Sequence, residues 1–180
     1  MSQASTSHSR FKAVLKGLTQ EKAIEVTNAM MTEFKKAIST KKTPVLETNF
    51  IKEIMKQGEQ DFFIVPTFNP NEPSVGLMSK NLNAVMHVAL NRTDKKFLKH
   101  YNSPQIVDLL HLHSYRKGEG KKLMEAFLQI QGNLNIPGSL WTETTETMKY
   151  FEKYGFENLG KLGDSSEFLM KLPCGTCYSR

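Results

Sequence analysis

Residues 106–113 (IVDLLHLH) run straight into 114–120 (SYRKGEG) and then into 121–131 (KKLMEAFLQIQ). The first stretch is apolar and β-branched, as a buried strand requires. In the third, Leu123, Phe127 and Ile130 recur at helical spacing with Met124 and Leu128 beside them, and Gly132 stands where a helix would end. Between them lie Gly118 and Gly120, flanked by Arg116, Lys117, Lys121 and Lys122. A strand emptied through such a turn into a helix is an anion cradle. Glycines let the backbone come close, the first N–H groups of the helix point outward, and the helix dipole adds partial positive charge. Four cations add attraction for phosphate. The same residues also suit a plain tight turn. The pattern is neither a P-loop, which needs Gly-Lys-Ser/Thr, nor G-x-G-x-x-G, since residue 123 is Leu.

The rest of the chain surrounds this unit with helices and strands. Residues 1–10 are rich in Ser, Thr and Gln and read as a flexible tail. Thr19 is an N-cap for a helix ending near Ser39, with Ala23, Val26, Met30, Phe34 and Ala37 on its buried face. Asn49 caps a shorter helix that Gly58 ends. Residues 61–68, 75–78 and 84–90 are strands, 69–73 a turn, and 91–105 a loop or short helix. After the central unit come a strand at 139–144, a helix at 147–154 ended by Gly155, and strands at 156–160 and 167–172. The fold class is α+β (α/β), in a single domain over 11–173 with a C-terminal tail at 174–180.

Charge narrows the partners. The chain of 180 residues carries 24 Lys+Arg against 18 Asp+Glu, a formal +6. That favours an anionic partner such as nucleic acid, anionic lipid or a phosphorylated cofactor, or simply a solvated surface. No apolar run approaches the roughly 18 residues of a membrane span, and the first 13 residues hold no apolar core of a secretory signal. Two cysteines near the end give no disulfide framework, which points to a reducing, cytoplasmic setting. Cys174 and Cys177 are half a zinc site at most and read as incidental thiols of a mobile terminus. The basic stretch 92–100 (RTDKKFLKH) has no second aromatic at stacking spacing, so it reads as a solvated segment and nucleic acid is not an expected partner.

A second element sharpens the first. About 30 residues beyond the glycine turn, strand 140–144 leads into Tyr150-Phe151-Glu152-Lys153-Tyr154-Gly155-Phe156. In this order the two elements resemble the GNAT superfamily of acyl-CoA-dependent N-acyltransferases. The resemblance spans residues 11–172 and is specific over 109–128 and 140–156. It implies a GNAT-like fold, a mixed, splayed sheet of about seven strands with about four helices. It implies transfer of an acetyl group from acetyl-CoA, a co-substrate, to an amine acceptor, a small molecule or a protein amine. It implies no metal and no membrane, and allows a homodimer. The turn 115–120 corresponds to the family's Gln/Arg-x-x-Gly-x-Gly/Ala motif, whose amides hold the CoA pyrophosphate. Gly118 and Gly120 take the small positions around Glu119, with Arg116, Lys117, Lys121 and Lys122 around them. Backbone groups of Leu110, His111 and Leu112 would meet the pantetheine arm as an added strand does.

The chain departs from the family pattern at three places. Tyr115 fills the Gln/Arg position and Arg116 comes one place late. Phe151 stands where a tyrosine usually protonates the leaving thiolate, and Thr144 where an Asn is often found. The acid–base candidates are therefore the chain's own: Tyr150 as acid, Glu143 and Glu146 at the end of a strand, and His111 and His113 on one strand face with Asp108 on the other. Tyr150 and Tyr154 also suit plain packing. Two rival readings follow: an acyl-CoA-binding module without catalysis, which Phe151 favours, and a basic nucleic-acid-binding domain.

Overall fold

The structure, a computed structural model, describes residues 17–66 and 74–175. Two helices come first, α1 (Gln20–Ser39) and α2 (Val45–Gln60). Thr19 caps α1 as its position predicts, its hydroxyl accepting from Lys22 N–H at 3.2 Å. Then follow β1 (Phe62–Val65), β2 (Ser74–Ser79) and β3 (Ala84–Arg92), a 3-10 turn (Lys95–Phe97) and the short helix α3 (Leu98–Tyr101). The central unit is β4 (Gln105–Ser114) and α4 (Glu119–Leu134), followed by β5 (Gly138–Thr142), α5 (Thr145–Glu152), β6 (Glu157–Asn158) and β7 (Phe168–Leu172). The turn expected at 69–73, the tail at 1–10 and all but two residues of the tail at 174–180 lie outside the described residues.

The expected mixed sheet is present. Seven strands run in the order β1-β2-β3-β4-β5-β7-β6, with five α-helices among the described residues. Every neighbouring pair is antiparallel except β4 with β5. That parallel pair meets only at Val107↔Gly138 and Asp108↔Ser139. β4 continues to Ser114 while β5 turns away, so the sheet opens between them.

One face of the sheet carries the main core, where Phe50 and Ile54 of α2 and Leu123, Phe127 and Ile130 of α4 bury against the strands. The other face is covered at both ends. Ala23 of α1 packs on Phe63, Val65, Met78 and Val85, and Tyr101 of α3 packs on Ile106 and Leu169. Between those covers lie His87 and His111, stacked with ring centroids 5.8 Å apart. The edge strand β1 does not stay open. The Thr27 hydroxyl of α1 accepts from Ile64 N–H at 3.0 Å and donates to Ile64 C=O at 3.3 Å, which answers the unpaired groups of an edge.

Three element ends differ from the sequence reading. α2 begins at Val45 and passes through Gly58 to Gln60. A Cβ at Gly58 would lie 2.4 Å from Ile64 Cδ1, so this glycine serves the close approach of α2 to β1, not a helix end. α4 likewise runs through Gly132, and left-handed Asn135 ends it, its N–H donating to Gln131 C=O. Cys174 is 1% exposed and held in a disulfide, so it is no loose terminal thiol.

A difference in strand parity matters most. Along β4, Val88 pairs with Leu109 but His87 pairs with His111, leaving Leu110 out of the register. This bulge shifts the alternation by one. Asp108 faces Ala89 and His111 faces His87, and Ala89 and His87 share a face. Asp108, His111 and His113 therefore lie on the same side of the sheet, opposite the main core, where simple alternation separates Asp108 from the histidines.

Candidate functional site

The junction of β4 and α4 is built as a glycine turn with an uncapped helix start. Gly118 has φ +93°, a left-handed conformation that costs an L-residue roughly 1–2 kcal/mol. It occupies the N-cap position without any side-chain cap bond, leaving the N–H groups of the first helical turn to a ligand or to solvent. The turn is held from behind by the β2–β3 connection. Tyr115 N–H donates to Asn83 C=O at 2.7 Å, and Asn81 Nδ2 donates to Glu119 Oε1 at 2.8 Å. Asn81 and Asn83 carry no motif, and only their reach across the sheet edge reveals their part.

In front of this helix start lies a cleft of about 650 Å³. Its floor is the turn, with Tyr115, Arg116, Lys117, Gly118, Gly120 and Lys121. Its wall is one face of α5, with Thr147, Tyr150 and Phe151, continued by Tyr154 in the turn just past the helix. Helical spacing is the sequence signal for Thr147, which the motif alone leaves out. Thr144 caps α5, its hydroxyl accepting from Thr147 N–H at 3.1 Å, and this is the use the chain makes of that position. Leu112 closes the cleft on the strand side.

Several expected residues lie elsewhere. Lys122 faces a separate groove beside Gln57 and Asp61, because two consecutive helix residues point about 100° apart. Glu119 is drawn to Asn81. Leu110 stands at the bulge, partly exposed, with its backbone outside the β3 register. Glu143 is exposed beyond β5 and lies against Glu167, whose carboxyl is raised above the usual carboxylate range by burial and by Glu143 beside it. His111 sits on the face opposite the main core, stacked on His87. Burial, with His111 next to it, lowers His87 to about 4.

That shift has a sign. The unfolded chain takes up a proton at His87 near pH 6.5, whereas the native chain does so only near 4. Stability is thus lost as pH falls through this window. His87 alone should cost about 2 kcal/mol between pH 7 and pH 5. Urea unfolding at the two values checks this, and His87→Leu should remove most of the difference.

Tyr150 sets the polar chemistry of the cleft. Its hydroxyl would lie 3.2 Å from a Cβ at Gly120, so it stands directly over the helix start. Burial, then the hydrogen bond to Tyr154 and the neighbouring phenol, raise its pKa above the ordinary value of 10.0. It remains a protonated donor throughout the neutral range. Phe151 packs edge-on against Tyr150 and Phe156 and lends the wall an apolar surface.

No family model and no curated protein matches this chain. Among solved structures, it is similar to an acyl-CoA N-acyltransferase from Pseudomonas aeruginosa, at 20% identity over 54% of this chain and 67% of that one, with a TM-score of 0.40. It is also similar to a histone acetyltransferase HPA2-related acetyltransferase from Corynebacterium glutamicum (12% identity, 87% and 93% covered, TM-score 0.42). A third is the PaiA N-acetyltransferase of Thermoplasma acidophilum in complex with coenzyme A (17% identity, 70% and 68% covered, TM-score 0.40). What the site can do follows from its own geometry. No helix among the described residues is long and apolar enough to cross a membrane, and no group of three or more His, Cys, Asp or Glu among them could hold a metal. The strand order, the opened β4–β5 pair and the glycine turn that follows β4 agree with the mixed, splayed sheet of about seven strands that the sequence resemblance implies.

Proposed function

We infer that this protein is an acyl-CoA-dependent N-acyltransferase of the GNAT type, moving an acetyl group from acetyl-CoA to an amine. The observation that carries the reading is the uncapped start of α4, opening into a cleft with Arg116, Lys117 and Lys121 around it and the Tyr150 hydroxyl above it. A diphosphate fits such a place through backbone N–H groups, helix dipole and nearby cations together. The pantetheine arm would leave the turn along β4, where the bulge at Leu110 and the parting of β5 free strand edge for hydrogen bonds. The amine nitrogen then attacks the acetyl carbonyl, the C–N bond forms, the C–S bond breaks, and the sulfur takes up a proton.

Tyr150 is the residue whose role the geometry refines. Over the helix start its hydroxyl is placed for a hydrogen bond to the phosphates that the turn is proposed to hold. Tyr150→Phe should then weaken acetyl-CoA binding about tenfold and leave kcat within a factor of about three, since a hydrogen bond to a charged group contributes roughly 1.5–3 kcal/mol. Unchanged affinity with a 10²-fold loss in kcat would instead make it the general acid.

The cations give a second test. Exposed charge contacts are screened and contribute about 1 kcal/mol or less each. Replacing Arg116, Lys117 and Lys121 together by Ala should weaken acetyl-CoA binding and flatten its salt dependence. A slope equal to that of the unaltered protein would mean that these side chains only solvate the helix. The non-catalytic reading differs in one outcome. It predicts acetyl-CoA binding without thiol release against any amine.

A further inference from the structure

A second cavity is larger than the cleft. It has a volume of about 870 Å³ and lies on the other side of the sheet, beneath α3 and the segment that precedes β7. Its floor contains Asp108 and Ser139. These two form the last rung between β4 and β5 before the strands part, so the cavity ends at the opening in the sheet. Built on the reading above, this is where a second substrate could meet a thioester that enters from the cleft.

The cavity sorts its chemistry by depth. At the floor, Asp108 is half-buried and accepts from Asn91 Nδ2 at 2.7 Å, and Tyr101 and Ser139 share a hydrogen bond of 2.6 Å. Burial, with Asp108 nearby, pushes the Tyr101 phenol up to about 12, so its proton stays in place. A carboxylate offers about four acceptor positions and a negative charge, the chemistry that suits an ammonium group. At the mouth stand three exposed cations, Arg92, Lys96 and Lys99, and two exposed carboxylates, Asp164 and Asp94, the latter 3.9 Å from Lys96. Along one side, Trp141 is 39% exposed and meets Phe97 edge to face with centroids 5.8 Å apart. An aromatic pair with part of its surface exposed favours an apolar or aromatic body. A carboxylate inside, a mouth with three cations against two carboxylates, and an aromatic wall between suit one kind of ligand.

We propose that this cavity is the acceptor site and that its acceptor is a small amino carboxylate with an apolar or aromatic side chain, its ammonium at Asp108 and its carboxylate at Arg92, Lys96 and Lys99. The volume is within the range of small-molecule sites. In the reaction the ammonium first gives one proton to water. The freed lone pair attacks the acetyl carbonyl, the C–S electron pair goes to sulfur, and the remaining surplus proton on nitrogen passes through solvent to that sulfur. The products are the N-acetylamino carboxylate and CoA thiol. Asp108 binds and orients the amine; no proton is assigned to it.

Three probes of matched shape test this: L-phenylalanine, phenethylamine, which lacks the carboxylate, and 3-phenylpropionate, which lacks the amine. Thiol release from acetyl-CoA should be at least tenfold faster in kcat/KM with L-phenylalanine than with phenethylamine. In Asp108→Asn that value should fall at least tenfold while acetyl-CoA affinity stays the same. In the Arg92→Ala/Lys96→Ala/Lys99→Ala variant the preference over phenethylamine should shrink to within about threefold. 3-Phenylpropionate should inhibit competitively against L-phenylalanine. Equal turnover of both amines by the unaltered protein, or full activity of Asp108→Asn, overturns the proposal while acetyl-CoA binding still supports the cofactor reading. Should acetyl-CoA not bind at all, calorimetry of L-phenylalanine alone decides. Binding that Asp108→Asn abolishes keeps the site, and no binding ends it.

Discussion

A Gly120→Val protein should bind acetyl-CoA at least 100-fold more weakly than the unaltered protein and still unfold in one cooperative step. At Gly120 a Cβ alone would stand 3.2 Å from the Tyr150 hydroxyl and 3.9 Å from Ser114 Cβ. Valine adds two methyl groups beyond that, over the helix start where the diphosphate is placed. A 100-fold loss is about 2.7 kcal/mol. The fold should survive, because the residue lies in the first turn of α4 with ordinary helical backbone and the obstruction points into an open cleft, not into the core. Calorimetric titration measures the affinity, and the urea transition measures the cooperativity. An unchanged dissociation constant in a folded Gly120→Val protein would remove the turn from the site.

Phe127→Ala should destabilise the protein by about 3–5 kcal/mol, the usual cost of removing a buried phenyl ring. Phe127 is fully buried, stacks on Phe156 with centroids 6.0 Å apart, and lies 3.2 Å from where a Cβ would stand on Gly138. It therefore ties α4 to β5 and to the end of α5, the three elements that frame the opened sheet. Gly138 exists in this form because the ring comes so close. The prediction carries a functional consequence, since α4 must stay fixed for its amides to hold a diphosphate. Urea unfolding should show the loss in midpoint, and acetyl-CoA should restore part of it by binding only the native state. A loss below 1 kcal/mol would mean that the core under the cleft is far looser than its packing implies.

Much of this architecture was legible in the residues. The apolar period of 106–113, the paired glycines and the periodicity of Leu123, Phe127 and Ile130 located the central unit within a few residues of its observed ends. Thr19 marked its helix because a hydroxyl at that place has a specific bond to make. Glycine misled twice, at Gly58 and Gly132, where absence of a side chain says that something is close or that nothing is needed, and only left-handed φ makes a stop. The bulge at Leu110 was invisible for a different reason. It arises from the pairing of β4 with β3, and nothing local in LLHLH announces it. Without it Asp108 is placed on the wrong side of the sheet, and the cavity behind the opening cannot be foreseen. Asn81 and Asn83 were missed for the same reason, since they act across the fold and not along the chain. The cleft wall was mostly legible: Tyr150, Phe151 and Tyr154 belong to the recognised segment, whereas Thr147 joins them through helix geometry.

The central claim is that the uncapped start of α4 is a seat for the diphosphate of acetyl-CoA. Calorimetric titration of acetyl-CoA into the protein at two salt concentrations, alongside the melting temperature, tests it most directly. The account predicts one site per chain, an affinity that weakens as salt rises, and stabilisation of about 2.7 kcal/mol with ligand at 100 times its dissociation constant. No heat of binding and no rise in melting temperature at millimolar acetyl-CoA, from a protein that unfolds cooperatively, would contradict it.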